Sequence, residues 1–175
     1  MASLFRDLHE STDRAHAGLF SHLPIACWAP LPLRLIVGYG FLEHGFAKMA
    51  RGVGNFIDIL ATLGVPAPHL MAWATIAIEV VGGIAVLLGA FLPLVSLPMA
   101  AVLLVAMFSV HLPYGFSSIK LIAVTPAGAQ FGPPGFETDL LYLACLVALV
   151  LRGAGPLSVD GLMIGPLWRA LGRRD

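Results

Sequence analysis

Charge is what this sequence has least of. Its 10 Lys and Arg and 10 Asp and Glu make 11% of 175 residues, where a water-soluble domain carries about 25%. So few charges cannot cover a water-facing surface, and with 58% of residues hydrophobic the composition points to lipid as the surrounding medium. The signs also cancel, for a net formal charge of zero. That removes the positive field on which nucleic-acid binding depends and excludes nucleic acid as the expected partner. Cysteine is scarce too. Cys27 and Cys145 form no CxxC pair, which argues against a disulfide framework and leaves both as small apolar fillers. No span carries a haem-type His pair, so a tightly bound metal redox centre is not expected. An apolar stretch is missing from the first residues, where Asp7, Glu10 and Asp13 stand. The expectation is therefore no signal peptide, with the first span serving as the insertion signal.

What the chain has instead is long apolar runs. Residues 31–49, LPLRLIVGYGFLEHGFAKM, are long enough at about 1.5 Å per residue to cross a hydrocarbon core of about 30 Å. Further spans are expected at 68–90, 92–112 and 134–151, the last starting near Pro134 or Glu137. The second and third are joined by a tight turn near Gly89 and Pro93, with Pro98 near the start of the third or bending it. The fold class is all-α, a transmembrane four-helix bundle over residues 31–152. Residues 1–30 precede it with an amphipathic interfacial helix, Ser3 to Leu23, in which Leu4, Leu8, Ala15 and Leu19 recur at helical spacing. His9, His16 and His22 read as solvated interfacial groups, because a metal site wants closer pairing. Residues 153–175 form a tail with a small amphipathic piece. Between spans, Phe56 to Leu60 is too short to cross and is expected as a half-turn or short helix at the interface. Pro113 to Gly135 reads as a long loop without clear periodicity, of the kind that is often functional.

Orientation follows from the basic residues. With four spans both termini share a side, and that side holds Arg6, Arg14, Arg152, Arg169, Arg173 and Arg174. Lys48, Arg51 and Lys120 lie on the other. Both termini are expected to be cytoplasmic, in a bacterial inner membrane. Glu43, His44, Lys48, His111 and Glu137 then converge toward the outer half.

An ionised side chain at bilayer depth costs roughly 2.5–3.5 kcal/mol, so each such group needs cover or a partner. In the first span Arg34, Gly38, Phe41, Gly45 and Lys48 lie near one line, Glu43 projects from the opposite side, and His44 lies between. Such a helix is either central to the bundle or at a homo-oligomer interface. In the second span Ala72, Thr75, Glu79, Gly83, Val86 and Ala90 share a face of small residues around one acid. The expected partner of Glu79 is Arg34 or His44, unless the acid stays protonated. Two readings stand side by side for Arg34 and Glu79: a structural lock, or a binding site or proton path. His44 and His111 admit satisfied polar contacts, contact with a redox cofactor, or metal ligation, though the spacing requires no metal. Lys48 and Arg51 read as interfacial snorkelling groups, and Glu137 and Asp139 as charges that favour a helix start.

An ordered set of motifs then resembles the DoxX family of small bacterial membrane proteins. It runs Arg34-Leu-x-x-Gly38, Phe41-Leu-x-His44-Gly45-x-x-Lys48, Phe56…Gly64-x-Pro66, Glu79-x-x-Gly82-Gly83 and Leu87-x-Gly89. His111, Gly135-Phe-Glu137 and Gly153-x-Gly155-Pro-x-Ser158-x-Asp160 follow. The resemblance covers about residues 31 to 161 and implies a four-helix membrane bundle. Its functional implications are mixed. DoxD-type relatives are linked to thiosulfate oxidation with quinone as acceptor, while other members accompany membrane oxidoreductase assemblies or copper-handling systems. The reading this favours is a membrane subunit of an oxidoreductase system, working with membrane quinone and a partner protein. His44, Glu79 and His111 are the candidate catalytic residues. Arg34, Glu43, Lys48, Tyr114 and Glu137 are the candidate binding residues, with Arg34 or Lys48 stabilising negative charge. A quinone needs an apolar slot with a few hydrogen-bond donors and a proton route. The alternatives are a non-catalytic scaffold or anchor for a partner, and a small transporter or metal-handling protein. No doubled half with interrupted helices favours transport.

Overall fold

A computed structural model describes residues 27–163. The expected amphipathic helix Ser3 to Leu23 and most of the tail lie outside the described residues. The chain is mostly helical: α1 (Pro30–Ala50), α2 (Val53–Thr62), α3 (Pro68–Leu88), α4 (Leu92–Ala106) and α5 (Glu137–Arg152). Proline near the first position starts α1, α3 and α4, where its missing N–H costs no helical bond. Gly89, left-handed at φ 62°, ends α3 and turns the chain into α4. The segment expected as a half-turn or short helix is α2, and the last helix begins at Glu137, one of its two expected starts.

Two stretches among the described residues, Pro68–Leu88 and Leu92–Tyr114, are long and apolar enough to cross a membrane. Ionisable groups on α1 and the 16-residue length of α5 set those helices apart from that pair. The large apolar side chains on the outside, among them Leu35, Ile36, Trp73, Val81, Leu94, Leu97 and Val147, suit acyl chains better than water. The core is formed by Val37 and Phe41 of α1, Val86 of α3, Leu92 and Met99 of α4, and Leu146 and Leu149 of α5.

The seam between α1 and α3 explains the small-residue stripes. A Cβ on Gly38 would lie 2.8 Å from the Gly83 carbonyl oxygen, and one on Gly83 would lie 2.8 Å from the Gly38 oxygen. The two backbones touch where neither can carry a side chain. A Cβ on Gly45 would instead meet a side chain, the Val80 Cγ2, at 2.7 Å.

Two features depart from expectation. Helix α4 does not run on as α to residue 112. It widens into a π-helical turn, Met107–His111, and tightens into a 3₁₀ turn, Leu112–Tyr114. Single π turns are common at functional sites because they re-aim a side chain, and this one carries His111. The segment 113–135 is also not an irregular loop. It contains an antiparallel hairpin, β1 (Leu121–Thr125) and β2 (Gly128–Phe131), with an irregularity between Leu121 and Ala123. That bulge and the shortness of β2 blur the alternation by which a strand is read from sequence.

Candidate functional site

Three pieces of chain bring their polar residues to one end of the helices. The last turns of α1 supply His44 and Lys48, the π turn supplies His111, and the first turn of α5 supplies Asp139. Glu79 joins them from the middle of α3. All five line a cavity of about 930 Å³. Its walls are otherwise largely apolar: Phe41, Val102, Leu103 and Ala106 from within, Phe56 and Ile59 from α2, with Tyr142 on α5. The phenol ring of Tyr142 meets Phe41 edge-on at 5.8 Å.

Two charge pairs occupy the cavity wall. The Lys48 ammonium donates to both Glu79 oxygens, at 2.6 and 2.8 Å, and sits 5.2 Å from the centre of the Phe56 ring. Glu79 is buried and Lys48 half-buried, so the carboxylate depends on that ammonium for compensation. His111 Nδ1 lies 2.6 Å from Asp139 Oδ2. An ionised carboxylate only accepts, so Nδ1 carries the hydrogen of this bond and Nε2 remains for another partner. The His44 ring makes no hydrogen bond among the described residues and borders the same space.

The partner expected for Glu79 is therefore corrected. It is neither Arg34 nor His44 but Lys48, which turns inward rather than snorkelling. Arg34 stands at the far end of α1 and does not reach the cavity. It is 1% exposed, and its guanidinium donates to five carbonyl oxygens. Nε reaches Val86, Nη2 reaches Leu87 and Leu157, and Nη1 reaches Ala154 and Pro156, all within 2.6–3.2 Å. Carbonyls at the end of a helix lack i+4 donors; Arg34 donates to those of Val86, which also accepts the Gly89 N–H, and Leu87, and it ties down the segment after α5. Asp160 completes this lock. Its carboxylate accepts the N–H groups of Phe91 and Leu92 at the start of α4, at 2.8 and 3.3 Å. Of the two readings for Arg34, the structural one describes these contacts.

A family model described as DoxX matches residues 29–112. A Bacillus subtilis (strain 168) protein named Putative oxidoreductase CatD is 31% identical over 130 residues, which is 74% of this chain and 83% of that one. The chain belongs to the DoxX family. This is a family of membrane proteins, in keeping with the two apolar helices. No solved structure matches.

Within this DoxX chain, four of the eight candidate site residues line the cavity: His44, Lys48, Glu79 and His111. The other four do not. Arg34 belongs to the lock. Glu43 is exposed on α1 outside the cavity lining. Tyr114 is exposed, and its carbonyl accepts from the Lys120 ammonium. Glu137 accepts the Ser118 N–H at 3.0 Å and so fastens the loop to the start of α5. Five further polar residues line the cavity without being among the eight candidates: Arg51, Asn55, Thr138, Asp139 and Tyr142. Asp139 looked like a helix-start charge, and Tyr142 was unremarked. The signal was present in their spacing: Asp139, Tyr142, Leu146 and Leu149 recur at intervals of three and four, the mark of one buried helix face.

Proposed function

We propose that this protein is an integral membrane subunit of an oxidoreductase system whose cavity receives the head group of a membrane quinone. In this reading α1, α3, α4 and α5 cross the bacterial inner membrane as a four-helix bundle, both termini are cytoplasmic, and a partner protein supplies the electrons. The observation that carries it is the meeting of His44, Lys48, Glu79 and His111 in one largely apolar cavity. The relative named as an oxidoreductase lends weight to the chemistry.

The residues fit such a ligand. A cavity near 930 Å³ falls in the roughly 300–1,000 Å³ range of small-molecule sites and exceeds what a single ring needs, leaving room for the first part of a prenyl tail. Phe41, Phe56 and Tyr142 provide flat apolar faces. When bound, a quinone supplies a two-electron, two-proton acceptor. Lys48 is held by Glu79 so that its ammonium can donate to a ligand oxygen without being an uncompensated charge. His111, with Nδ1 occupied by Asp139, offers Nε2 to a second oxygen. His44 adds a nitrogen able to accept or donate a proton. The apolar inner wall of Phe41, Val102, Leu103 and Ala106 lowers the local dielectric and strengthens each bond.

The test is binding. Full-length protein in lipid nanodiscs, titrated with a short-chain quinone, should bind with an affinity that falls on His111→Ala and on Lys48→Met, while Arg34→Lys leaves the affinity of the folded fraction unchanged. Absence of saturable binding by the unaltered protein would overturn the reading.

A further inference from the structure

The hairpin between α4 and α5 is the least covered part of the described chain. Leu121, Ile122, Val124 and Phe131, with Ile119 just before it, are 57 to 76% exposed. Neither strand packs extensively on any helix; the only substantial contact of each is with the other. An isolated two-stranded hairpin is marginal in water and needs an apolar face covered. Something outside the described residues must cover this one.

Its composition and its neighbours in the chain point to lipid as that cover. From Leu121 to Phe136 there is no charged residue. Among the strand residues only Thr125 and Gln130 are polar, and the Thr125 hydroxyl is already bonded to the Gly128 carbonyl, at 3.0 Å. The pairing of Ala123 with Gln130 and of Thr125 with Gly128 puts both polar side chains on one face, while Val124 and Ala129 share the other. The hairpin is thus two-faced yet uncharged, which suits an element lying at a lipid–water boundary. The flanking charges are turned back toward its base: Lys120 onto the Tyr114 carbonyl and near the Tyr114 ring, Glu137 onto the Ser118 N–H. A Tyr and Lys pair is the usual marker of headgroup depth. The apolar surface is also continuous in sequence with Leu92–Tyr114, which is apolar enough to cross a membrane. The outer edges of both strands keep unpaired N–H and C=O groups, which forbids the hydrocarbon centre but not the hydrated interface.

We propose that the 121–131 hairpin lies in the interfacial layer of the same bilayer, with lipid as its partner. Pro134 and Gly135, directly after the hairpin, line the cavity. The hairpin therefore flanks that cavity with a lipid-immersed flap rather than a water-exposed one. This inference does not depend on which ligand the cavity takes.

The experiment uses the full chain, with Cys27→Ser and Cys145→Ala, reconstituted in vesicles of phosphatidylcholine and phosphatidylglycerol. An environment-sensitive fluorophore is attached at Val124→Cys and, separately, at Ala127→Cys in the turn, where no strand packing is disturbed. Emission should shift to the blue, and nitroxides carried near the lipid headgroup should quench it strongly while aqueous iodide quenches it weakly. Iodide quenching without lipid quenching would place the hairpin in water and overturn the proposal. Protection from both quenchers would place it against protein, a second copy or a different chain, and would overturn it equally.

Discussion

Lys48 and Arg34 sit at opposite ends of one helix and solve the same problem in different ways. Lys48 is matched by a single carboxylate, whereas Arg34 spreads its charge over five carbonyl dipoles. Removing one partner of a buried pair leaves the other uncompensated. Glu79→Gln should therefore destabilise the protein by roughly 3 kcal/mol, and Lys48→Met in the same chain should recover part of the loss. Thermal unfolding of the two single variants and the double variant in detergent measures that coupling. Asp139→Asn should weaken quinone binding in parallel with His111→Ala, because a neutral amide no longer fixes the imidazole with a charge-assisted bond. A binding curve unchanged by Asp139→Asn would remove Asp139 from the site. At this scale the sequence revealed which residues need partners but not which partners they take. Spacing along α1 places Arg34, Gly38 and Lys48 on one line, yet says nothing about which residue of α3 stands opposite each of them.

The seam between α1 and α3 shows how two elements become one unit. Gly38 and Gly83 meet backbone to backbone, so Gly83→Val should force the helices apart at a cost of about 1–3 kcal/mol or more. Gly54 offers the contrast. A Cβ there meets nothing within 4 Å, and Gly54→Ala within α2 should be neutral or stabilising by up to about 1 kcal/mol. Comparing the two melting temperatures separates close packing from simple helix propensity. Asp160→Ala should cost about 1 kcal/mol by uncapping α4 from a distance. The helices were legible because their small-residue stripes and proline starts are local signals. The π turn and the hairpin were not. Each depends on how the chain is held after α4, by bonds such as Phe136 N–H to the Gly115 carbonyl and Glu137 N–H to the Phe116 carbonyl, at 3.1 and 2.9 Å, and no periodicity announces them.

For the whole molecule, the distribution of basic residues sets the expected sidedness. With Cys27 and Cys145 replaced, Thr62→Cys should react with a membrane-impermeant maleimide in intact cells. Met163→Cys should react only after permeabilisation. The reverse pattern would invert the topology. The meeting of His44, Lys48 and His111 was readable from the sequence by counting along each span, whereas Glu79, expected near mid-depth, joins them through Lys48. The separation of Arg34 from that cavity was readable in the same way, but its need for a partner drew it toward Glu79 on paper.

The Arg34 lock has a consequence for how the molecule is made. Two of its acceptors, Val86 and Leu87, lie in the last turn of α3, but the other three, at Ala154, Pro156 and Leu157, are synthesised 120 to 123 residues after it. All five acceptors are made after α1, so in the proposed topology its guanidinium gains two of them with α3 and waits for the segment after α5 for the rest. Biogenesis should finish as a single late clasp rather than helix by helix. A chain cut short after Arg152 should be inserted, then lost to quality control.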